Sequence, residues 1–175
     1  MATKEATEVK EAEADEKEVA ASGEDKVLKA QGIVKNYLIG SAAAGFIPLP
    51  IADMAAIGLI QLKMLHSLAN LYEVKFTKEL GKSLIASLTG GLAATGVGRG
   101  TLVSLVKVVP IIGPAAAAAA LPAVAGATTY AVGQVFIQHF ESGGTFLDFD
   151  PEKVKGYFAE QFEKGKLAVA DLKKG

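Results

Sequence analysis

The chain has 175 residues, half of them hydrophobic, with no Cys, no Trp and a formal net charge of −1. That length allows one domain with tails, and the absence of Cys excludes disulfides and thiolate metal sites and is compatible with a reducing cytosolic setting. The 18 lysines and arginines are sparse and not interleaved with aromatics, which argues against a nucleic-acid partner.

Charge is placed unevenly. Residues 1–25 hold nine acids against three lysines, residues 26–142 nine bases against four acids, and residues 143–175 six of each. The opening stretch MATKEATEVKEAEADEKEVA lacks the apolar core of a signal peptide. It also has nothing to bury, so residues 1–23 are expected to be a disordered acidic tail, dispensable for folding. Its Glu, Lys and Ala content equally supports a frayed helix. The mildly basic middle, 26–142, suits an anionic membrane surface, and residues 24–142 form the expected apolar helical-hairpin domain.

The first helix is expected from Glu24 to Ala44, because Val27, Ala30, Val34, Tyr37 and Leu38 recur at helical spacing. Pro48 and Pro50 stop it, since each removes a backbone donor and disfavours helical geometry in the residue before it. A second helix restarts at Pro50 or Ile51 and runs to Tyr72, with Asp53 in its first turn, at the positive end of the helix dipole. Asp53 reads as a helix-start carboxylate or as an ion or partner contact. Lys63, His66, Asn70 and Glu73 then form one polar stripe, as in a helix leaving an apolar phase for water; an ordinary surface helix gives the same pattern.

Thr77 is a fitting N-cap for a third helix, which the pattern carries through to Lys107. It holds 16 uncharged residues between Lys82 and Arg99, and Gly90, Gly91, Gly96, Gly98 and Gly100 weaken it. The spacings Ser87/Gly91 and Gly96/Gly100 suit close packing on an Ala-rich helix. That helix lies in the longest uncharged run, Val108 to Gln138, 31 residues between Lys107 and His139. Such a run is either a membrane helix or the centre of a buried bundle. Pro110, Gly113 and Pro114 break its start, so the fourth helix is expected from Ala115 to Glu141, with Pro122 inside it. Residues 143–175 follow as a loop and an amphipathic helix, entered through Asp150-Pro151-Glu152, an N-cap, an N1 proline and an early acid.

No chemistry stands out. Gly96-x-Gly98-x-Gly100 has no preceding strand and no following Gly-Lys-Ser/Thr, so it is not a nucleotide loop. His66 and His139 are the only histidines, far apart and near helix ends, with no metal-ligand spacing. No nucleophile elbow is present. No catalytic, cofactor or metal residues are therefore expected. Pro48, Pro50, Asp53, Gly91, Gly96, Pro122 and Asp150 are the structural or interaction candidates.

The phrases FIPLPIADMAAIGLIQLKMLHSLANLY, ELGKSLIASLTGG and TTYAVGQVFIQHFESGGTFLDFDPEKVKGYF resemble the YcjF-like, GTPase-associated bacterial domain of unknown function. The Pro-Leu-Pro-x-x-Asp turn and the IQHFESGGT-x-LDF segment carry most of the likeness, which covers residues 35–160. The resemblance implies a membrane-associated helical domain found fused to or encoded beside Era-like small GTPases. This chain carries no GTPase domain of its own, and the resemblance maps no catalytic residues.

The expectation is thus an all-α protein of helical hairpins with Ala/Gly packing, in or on the cytoplasmic membrane. The first hairpin, turning at Phe46–Pro50, is too short to span. The second, of helices three and four, is long enough to cross a bilayer of about 30 Å. Both termini and the Glu73–Lys78 loop are expected in the cytoplasm by loop basicity. The expected function is a non-enzymatic module that recruits or organises a partner. Membrane lipid, a protein such as an Era-like GTPase, and a second copy of the chain are the expected partners. The alternative is a soluble all-α oligomeric adaptor with buried apolar helices.

Overall fold

A computed structural model describes residues 23–43, 52–94 and 104–172, with 52–55, 91–94 and 104–120 described by backbone alone. All regular structure in these residues is helical. Five helices follow in order: α1 (23–43), α2 (Ala52–Leu71), α3 (Lys78–Ala94), α4 (Ser104–Glu141) and α5 (Lys155–Leu172).

The C-terminal half of α4 is the axis of the bundle. Its residues 131–137 are all buried, so over these two turns no side of the helix is left for water. α1 runs antiparallel to it: Gln31 bonds Gln134, and Val34 meets Gly133. α2 runs parallel to it, with Gln61 on Thr129 and Tyr72 against Phe140. α3 folds back along α2, bringing Phe76 to His66 and Gly81 to Leu62. α5 returns along α4, with Gly165 on Ala127 and Val169 on Gly126.

Three of these contacts depend on missing Cβ atoms. A Cβ on Gly133 would lie 2.5 Å from Val34 Cγ2, one on Gly126 2.5 Å from Val169 Cγ2, and one on Gly165 2.8 Å from the Ala127 Cα. Small residues let the helix axes close to a distance at which dispersion contacts are many. At the other end of α4 an aromatic cluster takes over. Phe136 stacks on Phe149 at 4.6 Å, while Phe140 and Phe76 meet Phe146 edge-on.

Some boundaries differ from those the sequence implies. α4 begins at Ser104, not near Ala115, and continues through Pro110, Pro114 and Pro122. Proline's fixed φ near −65° is itself helical; the loss is one hydrogen bond and a steric clash, roughly 3 kcal/mol each, within a helix of 38 residues. α3 is described from Lys78 to Ala94, and the stretch that would carry it on toward Lys107 lies outside the described residues up to Ser104. α5 starts at Lys155, not at Pro151. The Asp150 carboxylate accepts the Glu152 amide at 3.0 Å and holds a turn ahead of the helix.

From Val124 to Ile137 the long uncharged run lies within the bundle, covered by α1, α2 and α5. Among the described residues no helix is long and apolar enough to cross a membrane. The expected crossing by the second hairpin is therefore not what the described helices provide.

Candidate functional site

The bundle holds a buried polar core level with Thr129. Gln61 Nε2 donates to Thr129 Oγ1 at 3.3 Å, and Thr129 Oγ1 donates to Ser41 Oγ at 2.8 Å. One turn further along α4, the amides of Gln31 and Gln134 exchange bonds of 2.9 and 2.6 Å. All five groups sit on helix faces that the spacing turns inward, and each is satisfied by another. The cluster has no base or charged group, so it pins the register of α1, α2 and α4 and does no proton chemistry.

The second ordered feature is the cap after α4. Gly143 takes φ +80°, and the Gly144 amide bonds back to the His139 carbonyl at 3.0 Å, closing the helix in the αL manner glycine favours. His139 Nε2 lies 2.8 Å from the Thr145 carbonyl and 4.0 Å from Asp148. The Thr145 hydroxyl and amide both donate to the Asp148 carboxylate and hold it below its ordinary range. Phe146 and Phe149 point inward from this turn, and Leu147 between them is 89% exposed. α2 ends in the same manner, but with a non-glycine residue at positive φ, Glu73 (φ 58°). Next to it, burial and the Glu141 carboxylate hold the Tyr72 phenol well above its ordinary range. No partner meets the Tyr72 hydroxyl in full hydrogen-bond geometry among the described residues.

Among the described residues no group of three or more His, Asp or Glu side chains could hold a metal ion. His66 packs against Phe76, and His139 packs against Phe149 and meets the Thr145 carbonyl in the cap. An open hollow lined by Glu24, Val27, Leu28 and Glu141 encloses nothing.

The candidate residues fall in different places. Pro48, Pro50 and Gly96 lie outside the described residues. Asp53 is in the first turn of α2 and Gly91 in the last turn of α3, described by backbone alone. Pro122 is buried within α4. Asp150 is half-buried, holds the turn before α5, and pairs with Lys153 at 3.6 Å. The glycines that set helix approach, Gly126, Gly133 and Gly165, were not among the candidates. The sequence signal for the first two is their spacing of seven, which places both on one stripe of α4.

Helix order places the two ends of the bundle in contrast. Residue 23, the 72–77 loop and the 142–154 segment share one end. The close of α1, the start of α2, the close of α3 and the close of α5 lie toward the other, and the first turns of α4 run on beyond them.

Comparison with known proteins bears on this architecture. A family model described as Domain of unknown function (DUF697) matches residues 15–166. A protein of Magnetospirillum gryphiswaldense named Magnetosome membrane protein 22 is 41% identical over 146 residues, covering 83% of this chain and 75% of that protein. No solved structure matches. With most of its length matched by the family model, the chain belongs to the DUF697 family.

Proposed function

We propose that the protein is a non-enzymatic, membrane-associated helical module that recruits or organises a protein partner. The observation that carries this reading is the division of charge along the bundle. One end gathers the N-terminal edge of α1, the Glu73–Lys78 loop and the capped turn, all bearing charge. Toward the other end, residues 36–43 of α1, 54–62 of α2, 83–94 of α3 and 121–137 of α4 contain no charged side chain, and α5 carries Asp171. A relative named as a membrane protein supports the same reading. The charged end would face the cytoplasm and the partner, and a small GTPase of the Era-like kind is the partner the sequence likeness favours.

Fractionation tests the first part. The protein should pellet with cytoplasmic membranes, resist salt and leave in mild detergent. Capture from such an extract with GTP- and GDP-loaded Era-like GTPase tests the second, and equal absence of binding in both states would remove GTPase recruitment.

A second reading rests on a specific observation. The buried Gln61–Thr129–Ser41 cluster and the absence, among the described residues, of a helix fit to span are features of a soluble core. In that reading copies of the chain cover one another's uncharged ends. Recovery of the whole population as a soluble oligomer without detergent would favour it over the membrane reading.

A further inference from the structure

We infer that lysines from separate helices form a belt that seats the uncharged end of the bundle on an anionic lipid surface. This rests on the membrane reading above and names the lipid chemistry and the orientation. Each lysine is a near neighbour of a residue that fixes its height on α4. Lys35 follows Val34, which packs on Gly133. Lys63 lies two residues past Gln61, which bonds Thr129. Lys82 follows Gly81, which packs on Leu62, the neighbour of Gln61. Lys164 and Lys166 flank Gly165, which packs on Ala127 and Tyr130. Four helices thus bring cations to within about one α4 turn of Thr129.

The charges at this level are not balanced. Lys164 and Lys166 are paired with Glu160 and Glu163. Lys35, Lys63 and Lys82 are exposed and form no ion pair among the described residues. The other acid near this height is Glu79, in the first turn of α3. Beyond the belt, toward the start of α4, α1 carries no further charge and α3 none before its end. α2 carries only Asp53, α4 only Lys107, and α5 Asp171.

The uncharged side of the belt also exposes large apolar groups. Ile39, Leu59, Leu121, Leu167 and Leu172 come from four helices, and Leu167 is 68% exposed. Half-buried Tyr37 and Tyr130 sit at the height of the belt itself. Lysines and tyrosines at one height, with exposed aliphatic groups beyond them, match a lipid interface: headgroup phosphate at the interfacial level, then acyl chain. Unpaired cations at that height are complementary to anionic headgroups, each adding attraction that salt screens.

Vesicle co-sedimentation of the full chain in low salt tests the inference, using phosphatidylcholine alone and phosphatidylcholine with phosphatidylglycerol. The wild type should prefer the anionic vesicles and lose that preference as salt rises. The triple variant Lys35→Glu, Lys63→Glu, Lys82→Glu should bind them at least about 100-fold more weakly. Read at 0.1 M salt, a control of equal charge at the other end, Lys26→Glu, Lys75→Glu, Lys153→Glu, should stay within about threefold, since those sites lie more than the screening length of about 10 Å from the belt along their helices. Equal loss in both variants would overturn the belt as a located site. Equal binding of wild type to both vesicles, unchanged in the triple variant, would overturn the belt and leave membrane association standing. Binding to neither vesicle would overturn both. A lipid-free oligomer dissolved by the triple variant would assign the surface to a second copy instead.

Discussion

Gly165 shows how much one missing methyl group decides. Its α carbon lies where a Cβ would meet the Ala127 backbone, at 2.8 Å from Cα and 2.9 Å from the carbonyl oxygen, and backbone cannot rotate away. Gly165→Ala should therefore destabilise by about 1–3 kcal/mol in urea unfolding, even though alanine favours a helix by up to about 1 kcal/mol. Gly32 and Gly40 have open space around them. Alanine at either should raise stability by about 0.5–1 kcal/mol, and a loss there would mean α1 is covered by something. Asp148 gives a pH signature. Its carboxyl is held below its ordinary value by the Thr145 hydroxyl and amide, so the charged form is favoured by folding. That contribution is complete at neutral pH and is lost as pH falls below the ordinary carboxylate value through the folded one. Asp148→Asn should flatten the fall of Tm with pH in the acid limb, and an unchanged slope would remove the cap's role.

Helix α4 is stabilised along only part of its length by the polar cluster that locks it to α1 and α2. Thr129 both accepts from Gln61 and donates to Ser41. Thr129→Val keeps the shape but strands a buried amide and a buried hydroxyl, and should cost about 1–3 kcal/mol. Converting all three, with Ser41→Ala and Gln61→Leu, should recover part of that loss, because apolar partners leave nothing unsatisfied. If the triple variant is less stable than Thr129→Val alone, the cluster is not a self-contained unit. The first two helices were legible in the sequence, because Val27, Ala30 and Val34 mark the inner face of α1 and Lys63, His66 and Asn70 mark the exposed face of α2. The role of α4 was not. A helix apolar on every side reads alike in a bilayer and in a bundle core, and only partners distant in sequence tell them apart. The same holds for Gly126, Gly133 and Gly165, whose contacts join residues from different helices. The α4 start was misplaced because prolines are read as breaks, although their fixed φ fits a helix already under way.

The whole molecule is a bundle with chemically unlike ends, and its proposed work follows from that polarity. Leu59 and Leu121 are exposed on the uncharged side of Thr129; Leu147 is exposed on the capped turn at the opposite end. Their numbers in sequence gave no hint of this opposition, since it depends on α2 running parallel to α4 and the 142–154 segment lying past its end. The chain has no Cys, so single reporters can be placed without background. A fluorophore on Leu59→Cys, Leu121→Cys or Leu147→Cys, in the full chain bound to phosphatidylglycerol-containing vesicles, can be exposed to lipids bearing a nitroxide in the acyl chain. Strong quenching at the first two positions and none at the third is the predicted result. Quenching at Leu147→Cys alone, or at none of the three in vesicle-bound protein, would contradict the proposed orientation.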